Sequence, residues 1–210
     1  MAHGDEPGEN VVIRTFVAVE LDGALKERLA RLQDGIRNRL RRDLPPDARL
    51  QWVRPESIHL TFKFLGEIPE DRVEEIRRAL EPVANRSPGF SVEVGGIGVF
   101  PEQRAPRVLW IGLADPGGRL THLAGEIDRA LERIGFSPEA RAFSPHLTLG
   151  RIKERAREIG RALASAGVLT QTEPLGSLAV QRVALMKSEL KPSGAVYTRL
   201  WEASLGKAEA

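Results

Sequence analysis

Two short segments of the sequence place a histidine and a threonine two residues apart, with a leucine between them. They are residues 59–62 (HLTF) and residues 146–149 (HLTL). Residues two apart in a β-strand point to the same face, so each segment predicts a strand that directs an imidazole and a hydroxyl into one space. An imidazole gains and loses a proton near neutral pH, which suits it to general acid or general base catalysis.

Two such pairs together suit the hydrolysis of a cyclic phosphodiester. One histidine would take a proton from the attacking water and the other would give a proton to the departing ribose oxygen, each contributing about 10² to 10⁴ in rate. The hydroxyls of Thr61 and Thr148 would donate hydrogen bonds to the non-bridging phosphate oxygens, where negative charge grows. This scheme requires no metal ion and no other cofactor. The pattern of residues does not distinguish the donor histidine from the acceptor.

The two segments belong to a longer repeat. Residues 75–80 (EIRRAL) follow the first segment, and residues 158–163 (EIGRAL) follow the second. What repeats is therefore a strand, a connection and a helix, and the connection is shorter in the second copy. We interpret this pattern as an internal duplication in which each unit presents one His-Thr pair.

Two other interpretations of the histidines are open at this level. A single strand histidine is more often a structural residue whose nitrogens bond to its neighbours. A metal site would need carboxylate or thiolate ligands at suitable spacing, but Glu56 and Glu67, the nearest carboxylates, are predicted to lie on surface loops. The chain has no cysteine, which excludes disulfides, thiolate nucleophiles and cysteine-based metal sites. The matched pair favours catalysis over both alternatives.

The elements that must position these residues follow from the hydrophobic periodicity. Residues 11–21 alternate, which places Phe16 off the core face and makes it a candidate for stacking on an unpaired base. Around His59, period two predicts an apolar row that includes Phe64 and an opposite polar row that includes Lys63. Helices are predicted over residues 22–42, 70–83, 120–134 and 155–166, and further strands over residues 50–53, 90–94, 107–113, 178–188 and 195–203.

Strands that alternate with helices but also include hairpin-like neighbours predict an α+β fold with largely antiparallel sheets. We expect a single domain over residues 11–205, with flexible tails at residues 1–10 and 206–210. The glycine run at residues 95–98 predicts turns or a bulge, because it lacks the Gly-Lys-Ser/Thr ending of a phosphate-binding loop.

The composition of the chain limits which binding partners and which cellular location are expected. The formal charge is only +2, yet the pI is about 9.2 and arginine far outnumbers lysine, which suits phosphate recognition. No apolar run approaches the roughly 20 residues that cross a bilayer, and the first residues lack the pattern of a signal peptide. We therefore expect a cytoplasmic monomer with no membrane partner.

The sequence resembles the 2H phosphoesterase superfamily, named for two H-x-T/S-x motifs, and within it the RNA 2',3'-cyclic phosphodiesterases, once described as 2'-5' RNA ligases. The resemblance is carried by both motifs with their flanks and by a segment near the start: residues 14–19 (RTFVAV), 52–66 (WVRPESIHLTFKFLG) and 143–151 (FSPHLTLGR). It implies two pseudo-symmetric lobes, each a small, mainly antiparallel sheet backed by helices, which face each other across an active-site cleft.

The resemblance also implies roles for individual residues. His59 would be the proton donor to the leaving 3'-oxygen and His146 the proton acceptor from water, so that the product carries a 2'-phosphate. Arg151 matches the arginine that follows the family's second motif and would clamp the phosphate as a fixed fork. Simple alternation puts Arg151 on the face opposite His146, and a bulge at Gly150 would re-aim it.

Three functions compete. The leading hypothesis is an enzyme that hydrolyses 2',3'-cyclic phosphate ends of RNA or of nucleotides. The second is RNA ligase activity on 2'-5' linkages, which we rank as minor because water normally outcompetes a hydroxyl group. The third is a module that binds a nucleotide or an RNA end without turnover. The intact histidines and threonines of both motifs favour the enzyme.

Overall fold

The computed structural model describes residues 11–191 and 194–207. Its strands are β1 (Val12–Glu20), β2 (Arg49–Trp52), β3 (His59–Pro69), β4 (Phe90–Phe100), β5 (Val108–Ala114), β6 (His146–Glu154), β7 (Pro174–Val180), β8 (Arg182–Lys191) and β9 (Gly194–Ser204). Its α-helices are α1 (Gly23–Leu40), α2 (Val73–Arg86), α3 (Arg119–Glu132) and α4 (Ala156–Ser165). The predicted tail at residues 1–10 lies outside the described residues, as do residues 208–210.

The strands form one antiparallel sheet in the order β7-β4-β5-β6-β3-β1-β8-β9, and β2 also pairs with β6. The sheet has two halves, which meet where β3 lies beside β6 at a single residue pair, Leu60 with Leu147. Helices α1 and α4 pack on the half that contains β6, and α2 and α3 on the half that contains β3. The predicted α+β fold with two lobes of mainly antiparallel sheet is confirmed.

The sheet curls until its two ends approach each other. Only Gln181 separates β7, at one edge, from β8, which lies near the other edge. Gly206 then bridges to Pro88, and its N–H bonds to the carbonyls of Ala84 and Ser87 at 3.1 and 2.9 Å. Gly206 is therefore held by the fold, and the prediction of a free tail from residue 206 is wrong at this position.

The single strand predicted over residues 178–188 is also wrong. The chain changes partners at Gln181: β7 pairs with β4, whereas β8 pairs with β1. Apolar residues continue on both sides of Gln181, from Leu178 to Val180 and from Val183 to Met186, and no glycine or proline separates them, so the sequence pattern alone joins them into one strand. Only the pairing partners, which are distant in sequence, reveal the break.

The predicted start of α1 at Asp22 is confirmed. The Asp22 carboxylate accepts a hydrogen bond of 2.7 Å from the N–H of Leu25, which caps one of the free N–H groups in the first turn. The helix buries its apolar stripe, including Leu29 and Ile36, and a glutamine, Gln33, lies within that stripe. This buried polar residue is important for the site described next.

Candidate active site

The junction between β3 and β6 brings the two motifs together. Leu60 and Leu147 are buried, so the residues on either side of each leucine lie on the opposite face of the sheet. Continuing the antiparallel register by one residue in each direction places Thr61 beside His146 and His59 beside Thr148. The four predicted side chains therefore share one face, around a pair of leucines at the same position of both repeats.

Both histidines are held in the same way by the backbone. Nδ1 of His59 lies 2.9 Å from the carbonyl oxygen of Ser57, and Nδ1 of His146 lies 2.7 Å from that of Ser144. A carbonyl oxygen can only accept, so Nδ1 carries the proton in each neutral ring. Nε2 is then the basic nitrogen of both histidines, and it is left for a substrate.

The two serine carbonyls reveal that the repeat is longer than the motifs. Arg54, Ser57 and His59 have the same spacing as Arg141, Ser144 and His146. This extension is visible in the sequence, and it could have predicted that the two imidazoles are anchored alike. The local folds differ, since a short 3-10 helix, Pro55–Ser57, precedes the first motif, whereas Pro145 precedes the second histidine.

Aromatic rings surround each imidazole. Phe16 stacks on His59 at 4.6 Å between ring centroids, and Tyr197 meets His59 edge-on at 4.9 Å. On the other side, Phe100 meets His146 edge-on at 5.0 Å, and Trp110 lies 6.3 Å from it. Sequence analysis missed Tyr197, Phe100 and Trp110, because strands far apart in the chain bring them to the site.

Burial among these rings has a consequence for the charge of His59. Burial is the main cause that lowers the pKa of His59 from 6.5 to about 4. The hydrogen bond to the Ser57 carbonyl raises this pKa, and the positive charge of Arg151 lowers it further. His59 is therefore neutral at pH 7 in the free protein. The influence of Arg151 also indicates that its guanidinium, which comes from the other motif strand, lies close to His59.

A β-bulge brings Arg151 to this face. In the pairing of β5 with β6, Leu109 lies opposite Gly150 and Trp110 opposite Thr148, which leaves Leu149 without a partner. Leu149 and Gly150 are both buried, and Arg151 is exposed. The extra residue reverses the alternation, so Arg151 lies on the face of His146. The bulge anticipated at Gly150 is present.

Gln33 of α1 stabilises this bulge from the buried side of the sheet. Its side chain is buried, and its Nε2 donates hydrogen bonds to the carbonyls of Leu149, at 2.9 Å, and Val53, at 2.8 Å. The Leu149 carbonyl also accepts a bond of 3.0 Å from the N–H of Val53. Sequence analysis missed Gln33, although a lone amide within the apolar stripe of α1 is a recognisable signal.

The first motif strand has a matching bulge, which the sequence analysis did not foresee. Val17 lies opposite Lys63 and Ala18 opposite Thr61, so Phe62 has no partner. Lys63 is consequently buried, where it pairs with Asp128 and donates a bond of 2.7 Å to the Ser137 carbonyl. The predicted rows are therefore wrong beyond Phe62: Lys63 leaves the histidine face and Phe64, 62% exposed, lies on it.

Phe16 lies off the main core, as predicted, in a small cluster with Ala18, Ala184 and Met186. It is only 2% exposed, however, and His59, Phe64 and Tyr197 cover its ring. A base therefore has no access to Phe16, and the stacking role expected of it does not fit this position. Its ring instead supports the imidazole of His59.

The threonines complete the site. Thr61 and Thr148 are half-buried, and within residues 11–191 and 194–207 neither hydroxyl bonds to another protein group. Both hydroxyls are thus free to donate to an anion. Over the same described ranges, no group of three or more His, Asp and Glu side chains is arranged to hold a metal ion.

Comparison with known proteins agrees with this geometry. The family described as LigT like Phosphoesterase matches residues 19–110 and, separately, residues 111–197. The chain belongs to this family. Each match contains one of the two motifs, as expected for a duplicated phosphoesterase, and the family predicted from sequence is confirmed.

Relatives of this LigT-like phosphoesterase carry a consistent name. This chain is 34% identical over 186 residues to an RNA 2',3'-cyclic phosphodiesterase of Methanothermobacter thermautotrophicus, and the match covers 89% of this chain and 95% of that one. It is 35% identical over 175 residues to a protein of the same name from Aeropyrum pernix, covering 83% and 93%. The prediction of an enzyme, a phosphoesterase, is confirmed.

Solved structures give the same fold. A crystal structure of a Thermus thermophilus protein superposes with a TM-score of 0.73 at 28% identity, covering 94% of this chain and 100% of that one. Escherichia coli LigT complexed with 3'-AMP superposes with a TM-score of 0.70 at 26% identity, covering 93% and 99%. In the described part of this phosphoesterase, no helix has the length and hydropathy to cross a membrane.

Proposed function

We propose that this protein hydrolyses 2',3'-cyclic phosphodiester ends of RNA to 2'-phosphomonoesters by acid–base catalysis with His59 and His146. The observation that carries the proposal is the equivalent placement of the two imidazoles. Each lies beside the joined leucine pair, and each is anchored through Nδ1, so that each Nε2 is left for the substrate. The names of the relatives agree with this activity.

In the proposed reaction, the oxygen of a water molecule forms a new bond to phosphorus while the bond from phosphorus to the 3'-oxygen breaks. His146 accepts the proton of the water at Nε2, and His59 gives its Nε2 proton to the 3'-oxygen. Thr61 and Thr148 donate to the non-bridging oxygens, and the Arg151 guanidinium neutralises their charge. The product is a 2'-phosphate next to a free 3'-hydroxyl.

As the donor, His59 has to be protonated, and substrate binding must raise its pKa for this to happen. Since burial and Arg151 keep His59 neutral in the free protein, it acquires its proton when an anionic phosphate lies beside it and offsets both effects. With the reverse assignment, neutral His59 would be the base, the 2'-oxygen would leave and the product would be a 3'-phosphate. For a substrate bound with its 3'-oxygen beside His59, the product isomer therefore identifies the donor.

The experiment is turnover of a defined oligonucleotide with a 2',3'-cyclic phosphate end, in EDTA, with analysis of the product isomer. We expect His59→Ala and His146→Ala each to lose at least about 10² in rate. His122→Ala is a matched control, because His122 is an exposed histidine on α3, and it should retain the wild-type rate.

Three results would count against the proposal. Undiminished turnover in both histidine variants would remove the two imidazoles from the mechanism. Loss of wild-type turnover in the presence of EDTA would show that the reaction depends on a metal ion. Tight binding of the substrate without product over hours would instead support a binding module.

A further inference from the structure

The two motif strands can be compared residue by residue, because each has its bulge at the same place. Phe62 in β3 and Leu149 in β6, each three residues after its histidine, have no partner in the adjacent β1 and β5. In both strands the fifth residue after the histidine therefore returns to the histidine face. That residue is Phe64 in the first repeat and Arg151 in the second.

The repeats thus differ at one equivalent position beside the site. The second repeat supplies a cation, which suits the phosphate. The first repeat supplies an aromatic ring, which suits a nucleobase. A duplicated scaffold that binds an asymmetric molecule needs such a difference, since a nucleotide has a charged end and a flat, apolar end.

The exposure of Phe64 requires an explanation. It is 62% exposed, whereas Phe16, its partner in the neighbouring strand, is 2% exposed. Within residues 11–191 and 194–207, the other exposed large apolar residues, Val11, Val12 and Leu190, are aliphatic. A phenyl ring in water forgoes the gain of burial, and folding alone gives no reason to keep it there.

Phe64 is also within reach of the reacting phosphate. Its ring lies 5.9 Å from the ring of Phe16, which in turn lies 4.6 Å from the imidazole of His59. These two distances, end to end, set the largest possible separation between the ring of Phe64 and the imidazole of His59, so both rings border the same part of the site. The covered ring of Phe16 supports Phe64 from the side.

We propose that Phe64 stacks on the base of the nucleotide that carries the cyclic phosphate, and that it makes the enzyme prefer nucleotides to base-free sugar cyclic phosphates. This inference rests on the proposed function. Stacking on a phenyl ring is available to all four bases, so the terminal nucleotide is selected for having a base and not for its identity.

The test compares wild type with Phe64→Leu, which keeps an apolar side chain but removes the flat ring, and with Phe64→Trp, which enlarges the ring. The substrates are the four nucleoside 2',3'-cyclic monophosphates and the 2,3-cyclic phosphate of 1,4-anhydroribitol, which has no base. For Phe64→Leu, we expect KM to rise roughly 5- to 100-fold on every nucleotide. The same variant should keep the wild-type kcat/KM on the base-free substrate.

Phe64→Trp should retain or lower the nucleotide KM. Val12→Ala is the control, because Val12 is an exposed apolar residue at the start of β1. It should leave kcat/KM unchanged on the nucleotides and on the base-free substrate. An equal loss on both substrates in Phe64→Leu would assign Phe64 a structural role and overturn the inference, as would no loss on either. A wild type that turns over the oligonucleotide but none of these five substrates would overturn this inference alone, because the base of the terminal nucleotide would not suffice for binding. A wild type that turns over neither would overturn the proposed function as well.

Discussion

Acidification is expected to weaken this fold through His59. As the pH falls, an unfolded chain binds a proton on this histidine near pH 6.5, but the folded chain does so only near pH 4. Between these values the unfolded state binds more protons, so the free energy of unfolding decreases as the pH falls. The contribution of His59 is complete above pH 6.5 and is lost below pH 4.

The two pKa values set the size of the effect. The full shift corresponds to roughly 3 kcal/mol, and the loss between pH 7.5 and pH 5 to about 2 kcal/mol. These are upper limits, because part of the ring remains accessible to solvent, which screens it. A change of this size is a substantial part of the free energy of unfolding of a typical domain.

Denaturant unfolding at pH 7.5 and pH 5 measures this loss in wild type and in His59→Asn, which cannot titrate. Wild type should lose up to about 2 kcal/mol more than His59→Asn, whereas the control His122→Asn should lose as much as wild type. NMR titration of the imidazoles gives the pKa directly and reports the Nδ1–H tautomer. Inorganic phosphate should raise the pKa of His59.

Two results would refute the reasoning. Titration of His59 at or above pH 6.5 in the free protein would show that its rings and Arg151 do not disfavour the charged form. An equal loss of stability in wild type and His59→Asn would show that another group causes the acid sensitivity.

Two further predictions concern the residues beneath the site. Gln33→Leu removes the side-chain donor of the Val53 carbonyl and leaves the Leu149 carbonyl with only the Val53 N–H, and it should cost about 1–3 kcal/mol in denaturant unfolding. At temperatures where the variant folds, it should also lower kcat/KM on the cyclic phosphate, and unchanged kcat/KM would show that Arg151 does not depend on this amide. Lys63→Met removes the buried partner of Asp128, whose carboxylate is 24% exposed and still accepts from the Glu139 N–H. It should therefore cost about 1–3 kcal/mol, less than a fully buried ion pair, while the folded protein keeps its kcat. Full stability, or a loss of kcat in the folded variant, would contradict the placement of Lys63 behind the sheet.

Local patterns in the sequence were sufficient to predict the chemistry and the elements that carry it. His59 and His146 recur with the same neighbours, and their period-two flanks predict strands, because side-chain alternation is a local property of the backbone. The cap at Asp22 is equally local, since the carboxylate bonds to an N–H only three residues away. The duplication and the α+β class follow from these patterns, whereas the family and the two lobes were predicted from the resemblance to the 2H phosphoesterases.

Pairing between distant strands determines where alternation stops. Bulges at Phe62 and Leu149 depend on the partner strand, so period two correctly describes His59 and Thr61 but puts Lys63 and Phe64 on the wrong faces. The partner strands also determine that the chain over residues 178–188 is divided between two strands, one paired with β4 and the other with β1.

The environment of each imidazole likewise depends on the folded chain. Phe16, Tyr197, Phe100 and Trp110 come from four different strands, and only the curled sheet brings their rings to the histidines. Burial and the approach of Arg151 lower the pKa of His59, and both depend on atoms that are remote in sequence. The two histidines have the same local sequence pattern, but the rings that pack on each of them come from different strands.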